Sequence, residues 1–213
     1  MNTTSMPIVN VYIAAIPEKT DDTPLYPHTR QAEIDAIKNI RVQNEKRCVW
    51  QLLAYALEHS FGFKMNEMEF TKSKNGRWST TVCDFSLSHT YGIVAVAVSN
   101  GSVGIDIEGY RPNVNDRFAA KILNDAELTL FNKTDETERY SFLLRSWVMK
   151  ESLFKYKSNK NGFIPTEYDT LSGKAYTQMI KVGDAEYFLS VASDTPDAIH
   201  IYTDIDLLAV SKK

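Results

Sequence analysis

Two long segments predicted to be helical are each followed by several short segments with the character of β-strands. The helical segments cover about residues 29–60 and 136–157. Apolar residues recur in the first at spacings of three and four, which is the period of an amphipathic helix. Runs rich in Val, Ile and Tyr follow both helices and favour strands. This order predicts an α+β fold with two lobes more readily than one doubly wound sheet.

The two halves of the chain resemble each other in pattern. The later segment YFLSVAS…IHIYTDIDL has the same character as the earlier YGIVAVAVS…VGIDIEGY. We therefore predict two similar lobes related by a pseudo-two-fold, residues 1–101 and 102–213, each an antiparallel sheet packed with a long helix. Asn100-Gly101 predicts a tight hairpin turn, because both residues tolerate positive φ. One chain that supplies both halves of a cleft leads us to expect a monomer.

Composition restricts the class of protein. Of 213 residues, 43% are hydrophobic and 24% are charged, as in ordinary globular proteins. The formal net charge of -3 gives no reason to expect binding to nucleic acid or to an anionic membrane. Cys48 and Cys83 are too few for a disulfide framework, so we expect reduced, buried thiols. The N-terminal segment lacks a basic region and a membrane-length apolar run, so we expect a cytoplasmic protein.

A pair of carboxylates lies in the strand-like run VGIDIEGY. Asp106 and Glu108 are two residues apart and therefore project from the same face of a strand. Ile105 and Ile107 point the other way, towards a core. Two carboxylates at this spacing repel each other unless a cation lies between them. The alternative is the solvated face of an ordinary amphipathic strand, which has the same alternating pattern.

A second set of polar residues lies on the later helix. Trp147, Glu151 and Lys155 are four residues apart and share one stripe of that helix. A Glu–Lys pair at this spacing often does no more than stabilise a helix surface, by about 0.2–0.5 kcal/mol. The large Trp147 on the same stripe instead indicates that the stripe extends from the core to a partly buried pocket.

Further polar side chains could bind phosphate. Ser88 and His89 end the strand-like run FSLSHTYG, where a His is more often structural but could donate to a phosphate. Basic candidates lie in the segment KSKNGRWS and on the first helix: Lys72, Lys74 and Arg77, with Lys46 and Arg47. They form either a phosphate clamp or a solvated basic surface. The sequence has no P-loop, no GxGxxG after a strand, no CxxC pair and no HExxH motif.

Together these residues resemble the 4′-phosphopantetheinyl transferases, specifically the single-chain type that activates peptide synthetases such as surfactin synthetase. The family signature combines a G-[IV]-D-[IV]-E strand with a later W-x-x-K-E-[AS]-x-x-K helix. Residues 104–108 and 147–155 match these two patterns. The Ser-His of SLSHT and the Gly-Arg of KNGRW precede them in the expected order. Trp78 departs from the family, which often has proline after G-[KR], and this leaves the role of Arg77 open.

The resemblance implies an enzyme that transfers the 4′-phosphopantetheine arm of coenzyme A to a serine of an apo acyl or peptidyl carrier protein. It implies Mg²⁺ as cofactor and release of adenosine 3′,5′-bisphosphate. By position, the implied magnesium ligands are Asp106, Glu108 and Glu151. The implied contacts to coenzyme A are Arg47, Arg77, Ser88, His89 and Lys155. The implied catalytic residues are Glu151, a candidate general base, and Lys155, which would neutralise developing charge.

The carrier protein is expected to dock beside the cleft. Carrier proteins are generally acidic, so a partly basic and apolar patch is the expected partner surface. The segment after the metal strand offers such a patch: Arg111, Arg117, Phe118, Lys121 and Ile122. The alternative is an ordinary amphipathic helix. Two other functions stay open, a non-catalytic coenzyme A or carrier-binding protein of the same fold and an unrelated magnesium-dependent phosphohydrolase.

Overall fold

The computed structural model describes residues 7–21, 23–110, 116–158 and 162–210. The helices are α1 (His28–Asp35), α2 (Ile40–Phe61), α3 (Asp116–Ile122), α4 (Asp125–Lys133), α5 (Glu136–Tyr156) and α6 (Leu207–Val210). The strands are β1 (Val9–Ala15), β2 (Phe70–Lys72), β3 (Trp78–Thr80), β4 (Asp84–Thr90), β5 (Ile93–Ser99), β6 (Val103–Gly109), β7 (Ala175–Val182), β8 (Ala185–Ser193) and β9 (Ile199–Tyr202). The predicted α+β class is confirmed. In the described part of the chain, no helix is long and apolar enough to cross a membrane.

The strands form three sheets. A four-stranded sheet has the order β4-β5-β1-β9, a three-stranded sheet has the order β6-β8-β7, and β2 pairs with β3. Every pair is antiparallel except β1 with β9. The late strand β9 therefore lies in the sheet of the early strands, and α6 packs against α2. The predicted division at residues 101/102 and the pseudo-two-fold stay predictions.

The first helical segment differs from its prediction as a single helix. It consists of α1 and α2, separated at residues 36–39. Asn39 caps α2, since its side chain accepts hydrogen bonds from the backbone N–H groups of Arg41 and Val42. Asn at this position competes well for the exposed N–H groups of a new helix and so favours a fresh start. α2 ends at Gly62, whose φ of 71° suits glycine.

The four-stranded sheet is buried on both faces. On one face, α2 supplies Trp50, Leu53 and Leu57 to a core with Val96 of β5. On the other face, the three-stranded sheet supplies a second core that includes Ile105. This double burial explains why β5 is an almost continuous apolar run. The free thiols of Cys48 and Cys83 are buried, as predicted.

The predicted hairpin at Asn100-Gly101 is wrong. The chain leaves the four-stranded sheet there, because β5 pairs with β1 and β4 whereas β6 pairs with β8. Alternate side chains of β4 accept hydrogen bonds from the β6 backbone: Asp84 from Val103 (2.9 Å), Ser86 from Ile105 (3.0 Å) and Ser88 from Ile107 (3.2 Å). The seam between the two sheets is thus made by side chains, which satisfy buried N–H groups that a hairpin would otherwise pair.

Candidate active site

α5 lies directly against β6 at Gly104. A Cβ atom at this position would be 2.0 Å from the carbonyl oxygen of Ser152 and 2.4 Å from the backbone nitrogen of Tyr156. Because those contacts are with backbone, no side chain could be accommodated by a small rotation. Glycine therefore lets the helix reach the strand, and the same contact brings Glu151 and Lys155 beside the carboxylates of β6.

Asp106 lies at the centre of this contact and is only 5% exposed. Its Oδ1 atom accepts hydrogen bonds from Ser88 Oγ (2.8 Å) and from Lys155 Nζ (2.7 Å). Lys155 Nζ also donates to the carbonyl oxygen of Ile105 (3.0 Å). The Oδ2 atom of Asp106 is buried with no hydrogen-bond partner in the described residues. A buried carboxylate oxygen without a partner is costly, so the site can accept a further positive or hydrogen-bonding group.

The other two carboxylates complete an electrostatic cluster. Glu108 accepts a hydrogen bond from Thr90 Oγ1 (3.0 Å). The pKa of Glu151 is raised to about 6, chiefly by burial and next by the charge of Asp106; Lys155 lowers it and Glu108 adds a smaller increase. We call Asp106, Glu108 and Glu151 the acidic trio. The structure thus brings all three carboxylates and Lys155 into one region. Because Asp106 is buried, this face of β6 is not the fully solvated strand face of the alternative interpretation.

The acidic trio has the chemistry of a site for a hard divalent cation. Carboxylate oxygens are the ligands that Mg²⁺ prefers, and Asp106 Oδ2 has no hydrogen-bond partner among the described residues. In the ranges that the structure describes, however, no three Asp, Glu, His or Cys side chains stand in a finished metal-binding arrangement. Lys155 instead bonds Asp106 Oδ1. The donor set fits a cation, and binding would require some of these side chains to rotate.

Lys155 also borders a cleft of about 340 Å³. Four more cations and two indole rings line it: Arg30, Lys46, Lys72, Arg77, Trp50 and Trp78. We call this cavity the basic cleft. Its composition suits a ligand that carries both phosphates and a flat ring, because guanidinium and ammonium groups bind phosphate and indoles offer stacking surfaces.

Carboxylates balance part of the charge of the basic cleft. Glu33 pairs with both Arg30 (2.9 Å) and Lys72. The hydrogen bond from Lys72 lowers the pKa of Glu33, burial opposes this, and Arg30 adds to it. Arg30 also lies over the Trp50 ring at 5.3 Å. Arg30 is the cleft residue that sequence reasoning missed, since no motif connects it with residues of α2 or β3.

The remaining predicted coenzyme A contacts lie in different surroundings. Ser88 belongs to the Asp106 network described above. His89 Nδ1 is 3.4 Å from a carboxylate oxygen of Glu45, and burial lowers the pKa of His89 while Glu45 raises it. Arg47 is not among the residues that line the basic cleft; it forms an ion pair with Asp35 of α1 at 2.9 Å. Its predicted contact with the nucleotide stays a prediction.

Lys150, which belongs to the helix motif, contributes to the packing of the protein interior and not to the acidic trio. Its side chain is fully buried and its Nζ lies 2.6 Å from Glu127, which is equally buried. Lys150 also donates to the carbonyl oxygens of Pro165 (3.1 Å) and Tyr168. Glu127 also forms a capping box with Asn124 at the start of α4. The second role of Glu127, as the counter-ion that holds α5 against α4, had no signal in the local sequence.

The predicted carrier-protein patch is described only in part. Arg111 and the side chain of Arg117 lie outside the described residues. Phe118 is exposed at the surface of α3, and its ring lies 6.3 Å from that of Trp147. Lys121 is exposed in the last turn of the same helix, whereas Ile122 is buried in a small core. Among the described members of the patch, Phe118 and Lys121 are therefore the ones that a partner could reach.

The part of the chain that carries the acidic trio matches a known family. Residues 102–190 match the 4′-phosphopantetheinyl transferase superfamily. The matched segment runs from the start of β6 into β8 and includes the whole of α5. It supports phosphopantetheinyl transfer in general, and no curated protein sequence matches the chain.

Proposed function

We propose that this protein transfers the 4′-phosphopantetheine arm of coenzyme A to a serine of an apo acyl or peptidyl carrier protein. The reaction depends on Mg²⁺ and releases adenosine 3′,5′-bisphosphate. The observation that carries the proposal is the place of Lys155, which borders the basic cleft and donates to Asp106. A nucleotide held in the basic cleft would have its pyrophosphate near Lys155 and therefore beside the acidic trio.

The chemistry is attack of a serine hydroxyl on the phosphorus that bears the pantetheine arm. The new P–O bond forms as the bond to the adenosine phosphate breaks. Catalysis of such a step relies mainly on positioning and on neutralising charge. Mg²⁺, which Asp106, Glu108 and Glu151 would hold, supplies positive charge at the pyrophosphate when bound.

Two residues of the chain act beside that ion. Lys155 is fixed by Asp106 and by the carbonyl oxygen of Ile105, so its ammonium group is already oriented for a developing negative charge. Glu151 accepts the proton of the attacking serine, directly or through a water.

The alternative is a protein that binds coenzyme A or a carrier protein without catalysis. The acidic trio favours the enzyme. Burying Glu151 beside two other carboxylates disfavours its charged form, and within the described part of the chain one buried oxygen of Asp106 lacks a hydrogen-bond partner. Such arrangements reduce stability and are typical of functional sites. A protein that only binds a polyanion gains nothing from three carboxylates next to it.

The proposal is tested by incubating the protein with coenzyme A, Mg²⁺ and an apo carrier protein, and then weighing the carrier by mass spectrometry. A gain of one phosphopantetheine arm that EDTA abolishes is the expected result. Coenzyme A binding by calorimetry without any gain would favour the non-catalytic alternative. Cleavage of coenzyme A without transfer would indicate a phosphohydrolase.

Glu151→Gln separates the roles assigned to that residue. We expect transfer to fall sharply, because the amide is a poorer metal ligand and cannot accept the serine proton. Glu138→Gln removes an exposed charge from the same helix and is the matched control. Near-wild-type turnover of Glu151→Gln at saturating Mg²⁺ would contradict both roles.

A further inference from the structure

The Arg77 side chain is held by the protein on several sides. Its Nη1 atom donates to the carbonyl oxygen of Lys155 (2.5 Å). Its Nη2 atom donates to Asp84 Oδ1 (2.9 Å) and to the carbonyl oxygen of Phe85 (3.2 Å). Only 12% of the side chain is exposed. Although Arg77 borders the basic cleft, its guanidinium is therefore engaged before any ligand arrives.

Asp84 extends this network to the strand of the acidic trio. Its Oδ2 atom accepts the backbone N–H of Val103 at 2.9 Å, while Oδ1 bonds Arg77. Val103 begins β6, which carries Asp106 three residues later. Arg77 and Asp84 thus connect β4, β6 and the last turn of α5, the three elements that supply Ser88, Asp106 and Lys155.

The local chain is built to deliver Arg77 to this point. Residues 73–77 form a tight loop in which Ser73 N–H donates to the carbonyl oxygen of Arg77 (2.9 Å) and Gly76 N–H donates to that of Ser73 (3.0 Å). Gly76 has a φ of 84°, a conformation that suits glycine. If Arg77 turned to a phosphate, it would leave the Asp84 carboxylate and the Lys155 carbonyl oxygen short of a donor.

We infer that Arg77 and Asp84 are a positioning pair for Lys155 and β6, and that Arg77 is not a direct ligand of coenzyme A. This inference rests on the proposed function, in which Lys155 and Asp106 act together. The planar guanidinium makes several directed bonds at once, so a lysine cannot replace it in this role. A phosphate ligand acting mainly through its charge would tolerate that replacement better.

The test compares Arg77→Met, Arg77→Lys and Asp84→Asn with Lys74→Met, which removes an exposed cation from the same loop. We expect kcat to fall about tenfold to a hundredfold in the first three variants, because small displacements of catalytic groups have effects of that size. The Kd for coenzyme A, measured by calorimetry, should change by less than about threefold, so the loss lies in turnover. Lys74→Met should behave as wild type.

The double variant Arg77→Met/Asp84→Asn adds a stricter test. Residues that act through one another show non-additive effects, so the double variant should be no worse than the poorer single variant. The inference is overturned if Arg77→Met weakens coenzyme A binding more than about tenfold while Asp84→Asn binds as wild type. It is also overturned if Arg77→Lys restores full turnover.

Amide hydrogen exchange measures the same role without any transfer assay. Arg77→Met and Asp84→Asn should both speed exchange at Val103 and at residues 157–158, which follow Lys155 at the end of α5. Lys74→Met should not. If the wild type transfers nothing but both variants exchange faster at these amides, the proposed function fails. The inference that Arg77 and Asp84 position β6 and the end of α5 would still hold. Exchange that is the same in all variants overturns the inference.

Discussion

The acidic trio and the basic cleft meet at Lys155, but the protein holds the two regions in different ways. The trio comes from two adjacent elements, β6 and α5, whose contact at Gly104 leaves no room for a Cβ atom. The basic cleft collects long side chains from α1, α2, β2, β3 and the 73–77 loop. Its cations Arg30 and Lys72 share the carboxylate of Glu33.

This difference corresponds to what each region has to do. Transfer at phosphorus requires fixed geometry, and a backbone contact provides it without ordering long side chains. Binding of a polyanion requires charge more than fixed geometry. Flexible cations such as Arg30 and Lys72, which can release the Glu33 carboxylate and bind a phosphate in its place, meet that requirement. We therefore expect changes at the β6–α5 contact to affect turnover strongly, and changes in the basic cleft to affect affinity moderately.

Gly104→Ala should have the largest effect. The added methyl would meet backbone atoms of Ser152 and Tyr156, so α5 must move away from β6. We expect a loss of about 3 kcal/mol in the free energy of unfolding. Transfer should fall at least about a hundredfold, because Glu151 and Lys155 move together with the helix. Chemical denaturation and the transfer assay measure the two effects.

The matched control for that change is Gly183→Ala in the β7–β8 turn. Gly183 has a φ of 59° and open space around its Cβ position. Alanine there should cost about 1–2 kcal/mol through backbone strain alone and leave turnover unchanged. If Gly104→Ala behaved like Gly183→Ala, the close contact of β6 and α5 would not be what organises the site.

The two regions also differ in how far the sequence predicts them. The trio could be predicted because strand and helix periodicities place Asp106 with Glu108, and Glu151 with Lys155, from local spacing alone. The contact between the two pairs depends on Gly104, which has an ordinary strand conformation; the family pattern includes this glycine but does not say what packs against it. Only the family signature, which joins residues 104–108 with residues 147–155, predicts that the two pairs belong to one site.

The basic cleft was less predictable because its residues converge only through tertiary packing. Arg30 lies on α1 and belongs to no motif. The apolar spacing predicts one continuous helix across Asn39, whereas the chain breaks there into α1 and α2. Asp84 belongs to no motif, and the local sequence does not distinguish it from other polar residues of a strand. Its hydrogen bond from the Val103 N–H depends on the long-range placement of β6 beside β4. The predicted hairpin at Asn100-Gly101 instead pairs β6 with β5, so it does not predict this contact.

Lys155→Ala tests the link between the two regions and should have the next largest effect. Removing the ammonium leaves Asp106 Oδ1 with Ser88 alone and takes a positive charge from the end of the basic cleft. We expect turnover to fall about a hundredfold, as on loss of one oriented transition-state donor. The Kd for coenzyme A should rise less than about tenfold. Steady-state kinetics and calorimetry separate the two quantities.

Lys157→Ala, two residues further along, is the control for Lys155→Ala. Its ammonium lies over the Tyr168 ring at 4.9 Å, and we expect little change in transfer. A loss of affinity in Lys155→Ala with unchanged turnover would mean that this lysine belongs functionally to the basic cleft and not to the acidic trio.

The pH dependence of stability should show the raised pKa of Glu151 in the acidic trio. The pKa of Glu151 is raised from 4.5 to about 6, so the metal-free folded protein binds this proton more tightly than the unfolded chain. The resulting stability is present below about pH 4.5 and is lost as the pH rises through 6. Without metal, we expect Tm to fall by about 2–4 °C from this group between pH 5 and 7.

Glu151→Gln isolates that contribution, since it removes the titrating group and should flatten the slope relative to wild type. Mg²⁺ binds the ionised carboxylates, so the rise in wild-type Tm on adding Mg²⁺ should grow over the same pH range. Thermal scans of both proteins in EDTA and in Mg²⁺ at pH 5, 6 and 7 measure this. Identical slopes for the two proteins would contradict the raised pKa of Glu151.

Arg30→Met and Arg47→Met should have the smallest effects, and they decide which cations belong to the basic cleft. Arg30 lines the cleft, whereas Arg47 is paired with Asp35 on the side facing α1. Loss of one charge-assisted phosphate contact should raise the Kd for coenzyme A about tenfold in Arg30→Met. Arg47→Met should cost at most about 1 kcal/mol of stability and leave that Kd within about twofold. Equal losses of affinity would instead support the assignment of Arg47 that the sequence resemblance implies.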